Sequence, residues 1–141
     1  MLDKMKALAK QKDMCVLATV AGQKPYCSLM AYVTDNNCEE IYMVTHKNST
    51  KYKNLMQNPA VSLLIDTREK SPRSAAKALT VEGIFCKIVD LEKRKQVAAR
   101  LLQAHPHLDG FMQHPNADVI CIKIRSFLLL DGVQQAHFAS I

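Results

Sequence analysis

The residues best suited to chemistry lie between Ile41 and Asp66, IYMVTHKNSTKYKNLMQNPAVSLLID. A strand-like run ends at Thr45 and His46, and a short polar loop then supplies Lys47, Asn48, Ser49, Thr50 and Lys51 before helical spacing begins. Hydroxyls, a lysine and the free backbone N–H groups of a helix start are what a phosphate monoester needs: directed donors, a favourable dipole and a compensating charge. The same residues equally suit an ordinary helix capped by Ser49 or Asn48 with solvated lysines, and spacing alone leaves both readings open. His105, His107 and His114 fall within ten residues, but only Asp109 joins them, so they are read as a solvent-exposed His-Pro connection and not as a metal centre. His46 is read as a ligand neighbour or a surface residue, and His137 as part of a frayed tail. No nucleophile motif is present, and no side chain stands out as a general acid or base.

Those residues need elements to place them. Leu2, Met5 and Leu8 share one face of a short opening helix. Met14 to Ala21 and Tyr26 to Thr34 are strand-like and flank Gly22-Gln23-Lys24-Pro25, which predicts a hairpin. Asp35-Asn36-Asn37 marks a second turn, and Glu40 to Thr45 a third strand. A helix ending at Asn58-Pro59 and a fourth strand, Ala60 to Asp66, follow. Thr67 to Ala76 is a polar loop with Pro72, and Leu79 to Val89 a long fifth strand with Gly83 as a bulge or close-approach point. Asp90 caps the longest helix, whose apolar stripe runs to His105-Pro106, with Glu92-Lys93-Arg94-Lys95 on its solvated side. Asp118 to Leu130 alternates as a sixth strand that bends near Ser126. Strands one to three leave no room for crossover helices, so the expectation is a mainly β, α+β domain: a six-stranded antiparallel split β-barrel of Greek-key type with peripheral helices.

At 141 residues with 48% hydrophobic and 23% charged side chains, the chain suits one domain with its own core over 1–141, and is neither a disordered tail nor a fibrous protein. Its net charge of +6 favours anionic partners without choosing among them. Scattered lysines and the lack of tryptophan argue against a nucleic-acid platform. Five cysteines, odd in number and without a Cys-x-x-Cys pair, read as buried reduced thiols, and the seven methionines as core filling. The N-terminus has no uninterrupted apolar run, and no segment reaches the ~20 apolar residues of a membrane span, so a cytoplasmic protein is expected.

The order of strand with Thr45, short loop, Ser49-Thr50-Lys51, helix with Leu55, Asn58-Pro59 and the strand Val61-Ser62-Leu63-Leu64 resembles the flavin-binding split-barrel family typified by pyridoxamine 5′-phosphate oxidase. The entry Pro25-Tyr26-Cys27-Ser28 fits the same pattern. The resemblance implies a homodimer with FMN at the subunit interface, exchanging electrons with a small-molecule donor or acceptor. It implies that Ser49, Thr50 and Lys51 hold the FMN phosphate with Thr45 close by. Ser28, Leu29, Met30 and Val44 would meet the ribityl chain and ring through main-chain groups. Thr50 stands where the family carries arginine, and Cys27 and Ser28 where it carries basic residues. The C-terminal segment lacks the family's arginine-x-histidine pattern, so the expected substrate is not a vitamin B6 phosphate. The alternative on the same barrel is a non-enzymatic module that binds haem, flavin or deazaflavin.

Overall fold

A computed structural model describes residues 1–133 and 135–141, leaving Gln134 outside the described residues. Helix α1 spans Leu2–Gln11, and Met5 and Ala9 are its buried residues. Strands β1 (Met14–Ala21) and β2 (Lys24–Ala31) form the expected hairpin, with Gly22 at φ +65° in the turn. The second expected strand is interrupted at Tyr32 and resumes as β3 (Val33–Thr34). Tyr32 still donates its N–H to Asp13 O, but its carbonyl accepts from His105 Nε2 at 2.9 Å, and its inward side chain donates its hydroxyl to Ala9 O at 2.6 Å. One residue thereby ties both flanking helices to the barrel wall.

Strand β4 (Glu40–His46), helix α2 (Thr50–Gln57), strand β5 (Ala60–Asp66) and strand β6 (Lys77–Lys87) follow as expected. Helix α3 (Leu91–Ala104) is capped by Asp90, which accepts from Glu92 N. The segment expected as an open connection folds into a 3-10 turn, Pro106–Leu108, and a short helix, α4 (Asp109–Gln113). His107 and His114 are exposed as expected, whereas His105 is only 4% exposed. Five residues that include a glycine carry too little helical signal for α4 to be seen in isolation.

Strand β7 (Ala117–Asp131) is longer than expected, and a strand absent from the sequence reading, β8 (Gln135–Ser140), pairs with its second half. The strand count therefore rises from six to eight. QAHFAS has no strand signal of its own, and its place comes from the ladder that β7 offers. The sheet is antiparallel in the order β2-β1-β5-β6-β7-β4-β3 and curls into a split barrel with four peripheral helices. Between Glu82 and Gly83 the β6–β7 register shifts, leaving Arg125 as the extra residue of a bulge beside Ser126. Gly83 is required there, because a Cβ would lie 2.6 Å from Ile122 Cγ2 and 2.7 Å from Lys123 O.

The main core fills the barrel with Leu17, Tyr32, Ile41, Met43, Leu63, Ile65, Leu79, Ile120 and Phe127. A second cluster, Tyr42, Val44, Val97, Leu101, Val119 and Cys121, seals α3 onto the outer face of β4 and β7. Cys15, Cys38 and Cys121 are buried free thiols, as expected. Cys86 is half-buried, and Cys27 is exposed because odd positions of β2 face outward while Met30 faces the core. Burial pushes the Cys15 thiol up to about 12 and the Cys38 thiol up to about 11. No helix among the described residues is long and apolar enough to cross a membrane.

Candidate functional site

The split in the barrel lies between β2 and β4. Strand β3 pairs with β4 through Val33↔Tyr42 and Thr34↔Ile41. Carried onward, that register would set Ala31 opposite Val44 and Leu29 opposite His46, but no ladder joins these residues. Lys47 N donates to Asn116 O on the β7 side, so alternation along the strand turns the N–H and C=O of Val44 and His46 toward the split. Tyr32 N donates to Asp13 O on the β1 side, so the main chain of Leu29 turns away from β1 into the same opening. Ser28 and Met30 spend their main-chain groups on the β1 ladder instead. Of the three β2 residues expected to meet a ligand, Leu29 is thus the one with main-chain groups to give, and its side chain is 71% exposed.

The phosphate-loop residues gather where β4 leads into α2. Ser49 is the N-cap of α2, and its Oγ accepts from Tyr52 N at 3.2 Å. Thr45 is 1% exposed, and its Oγ1 lies 3.1 Å from Ser49 Oγ. Thr45 therefore orients Ser49 from within the barrel and presents nothing to solvent itself. Thr50 is exposed and Lys51 half-buried on the first turn, which carries no acidic residue. The helix start is left with an uncompensated positive end and a lysine beside it. Of the two readings left open by the spacing, the structure shows the cap: Ser49 caps the helix, and the capped helix carries no acid in its first turn.

His46 lies against this loop. Its ring stacks on Phe111 at a centroid distance of 3.9 Å and on His114 at 4.6 Å, and its Nε2 is 3.2 Å from Phe111 O. Sequence reasoning missed this stack because α4 brings Phe111 and His114 across from a distant part of the chain. Among the described residues no group of three or more histidine, cysteine or acidic residues is arranged to hold a metal ion.

Two further networks frame the region. Asp118, 4% exposed, accepts from Tyr52 OH at 2.9 Å and from Arg94, which also donates to Ile88 O. Desolvation, then the bond to Asp118, pushes the Tyr52 hydroxyl up to about 12. Glu40 accepts from Tyr42 OH at 2.7 Å, Lys93 Nζ at 2.9 Å and Cys121 Sγ at 3.3 Å. Burial alone would raise the Glu40 carboxyl, but these three donors outweigh it and hold it below its ordinary value. Desolvation and the Glu40 contact push the Cys121 thiol up to about 12. Lys93 and Arg94, expected on the solvated side of α3, are thus both ion-paired.

Set against known proteins, residues 1–131 match the family model described as pyridoxamine 5′-phosphate oxidase. No curated protein matches the chain. Similar solved structures include a haem-binding protein from Mycobacterium smegmatis, with TM-score 0.84 and 16% identity, covering 97% of this chain and 56% of that one. The chain thus spans little more than half the length of that protein. A putative pyridoxamine 5′-phosphate oxidase from Listeria innocua has TM-score 0.70 and 22% identity, covering 96% and 95%. An FAD-binding protein from Mesorhizobium loti has TM-score 0.76 and 16% identity, covering 92% and 93%. At these identities the likeness carries the fold alone.

Proposed function

The chain belongs to the pyridoxamine 5′-phosphate oxidase family, and from that membership we propose that it is an FMN-binding flavoprotein, a homodimer with the cofactor at the subunit interface, that passes electrons between a small-molecule donor and acceptor. The observation that carries this reading is the pairing of unladdered main-chain groups at Leu29, Val44 and His46 with the Ser49 loop. A flavin needs backbone donors and acceptors along its polar edge and a cationic phosphate end, and these residues supply both. Ser49, the Thr50 hydroxyl and Lys51 would hold the phosphate, with Thr45 positioning Ser49.

The dimer is supported by an apolar row on the outer face of the sheet. Leu29, Val16, Leu64, Thr80, Leu128 and Phe138 are successive cross-strand partners. Leu29 is 71% and Phe138 67% exposed, and Leu64 and Leu128 are also exposed. Apolar but for Thr80, such a strip suits an association surface, and its Leu29 end borders the split, so a partner seated on it would help close the site.

When bound, a flavin supplies reversible uptake of an electron pair as hydride. The protein's share is binding, orientation and exclusion of water. Haem is the second reading, favoured by the fold shared with the haem-binding protein of M. smegmatis.

One experiment separates these. Protein mixed with FMN and desalted is expected to keep a flavin absorption band and to elute as a dimer, whereas a Soret band only after haem addition would favour the second reading. The double variant Ser49→Ala, Lys51→Ala should lose about 2–4 kcal/mol of FMN binding, since each charge-assisted bond is worth ~1.5–3 kcal/mol. Unchanged affinity would remove the phosphate from this loop.

A further inference from the structure

At the end of the barrel opposite the Ser49 loop, a groove of about 640 Å³ opens between the C-terminal turns of α1 and α3, over β3. Its walls bring together three cations, Lys10, Lys12 and Arg100, and one carboxylate, Asp13. Two of the cations are aimed by a single turn. Arg100 donates to Thr34 O and, at 3.3 Å, to Asn36 Oδ1, and Lys10 Nζ donates to Asn36 O at 2.9 Å. These acceptors are all neutral. Among the described residues neither cation has a carboxylate within 4 Å, although Lys93 and Arg94 on the same α3 both do. The carboxylate on the turn itself, Asp35, is engaged through Oδ1 by the N–H groups of Glu39 and Glu40.

Fixing two positive groups on one asparagine is unfavourable by itself, and an anion between them reverses the sign of that interaction. Arg100 keeps further N–H donors in the planar arrangement that suits phosphate oxygens. The last carbonyls of α1 and α3 and the Asp13 carboxylate oppose an anion there, and a ligand with two or more charges gains most from the net positive field of Lys10, Lys12 and Arg100. The volume falls within the range of small-molecule sites. The seven residues of β4 set this groove ~20 Å from the Ser49 loop, too far for the two to share one phosphate. We propose that this groove is a second anion site, separate from the cofactor site, for a phosphorylated small molecule carrying two or more negative charges.

The test is calorimetric titration of the full chain with inorganic pyrophosphate at low ionic strength. With FMN added to fill the Ser49 loop, the wild type is expected to bind one further equivalent. Lys10→Gln combined with Arg100→Gln should weaken binding at least ~tenfold, the loss expected for removing charge-assisted bonds. Lys95→Gln, which removes an exposed charge elsewhere on α3, should leave it within about twofold. Amide shifts of Thr34 and Asn36 on titration would locate the ligand independently of any variant. The proposal is overturned by absence of binding to the wild type, by unchanged affinity in the Lys10/Arg100 variant, or by equal weakening through Lys95→Gln.

Discussion

Helices α2 and α3 both start beside the outer end of a strand, both are capped by a side chain, and both carry lysines in their first turns, yet their charges are handled in opposite ways. At α3 the cap is the carboxylate of Asp90, Glu92 follows in the first turn, and Lys93 and Arg94 are paired with Glu40 and Asp118. At α2 the cap is the neutral hydroxyl of Ser49, and no acid lies in the first turn. The first helix start is neutralised from within and serves as a structural joint. The second keeps a dipole and a lysine that no acid in its first turn offsets. A count of basic residues treats the two alike, and only their partners separate them.

The largest expected effect breaks the joint. Asp118→Ala leaves Arg94 without its carboxylate and Tyr52 without its acceptor, and should cost on the order of 3 kcal/mol in urea unfolding at neutral pH, the low end for a broken buried pair because Arg94 is partly exposed. A loss below ~1 kcal/mol would mean that charge does not hold α3 in place. Exchanging the caps sharpens the contrast. Ser49→Asp keeps a good cap, so stability should stay within ~0.5 kcal/mol, while FMN affinity should fall by about tenfold or more from the added negative charge. Asp90→Ser should leave both unchanged within the same margin, and a loss of FMN affinity there would erase the distinction between the helices.

The smallest effect concerns pH. The Glu40 carboxyl is held below its ordinary value, so its contribution is present above the usual carboxylate range and is lost as pH falls through the depressed value. Lys93 is shifted upward, chiefly by its bond to Glu40, so its share is lost only as pH rises through that raised value. Glu40→Gln should therefore cost ~0.2–1 kcal/mol at neutral pH, since Lys93 is 40% exposed, and this difference should shrink on acidification. A difference that persists in acid would assign the effect to packing.

What could be read in the chain was local. Ser49 and Asp90 announced their helices by residue type and spacing, and Gly83 marked the bulge because a glycine inside a long strand needs a steric reason. The split-barrel order and its family followed from the segment around Thr45 to Leu64. What stayed hidden was made by distant residues. Tyr32 looks like any strand tyrosine until Ala9 and His105 arrive, and Asp118 like a strand opener until Arg94 and Tyr52 reach it. Residue types drew attention to the Ser49 loop, but that Leu29 has free main-chain groups where Ser28 and Met30 do not depends on which groups a neighbouring strand already uses.

Strand β7 also bears on how the chain reaches its native state. One of its edges is filled by β6 alone, and the other is divided between β4 at its start and β8 at its end. Since Glu40 must find Lys123 across much of the chain, this wall closes late, after the β1–β2 and β5–β6 ladders that need only nearby partners. Until then β4 and β6 each expose a hydrogen-bonding edge lined with isoleucine and valine, and in that interval aggregation competes most directly with folding.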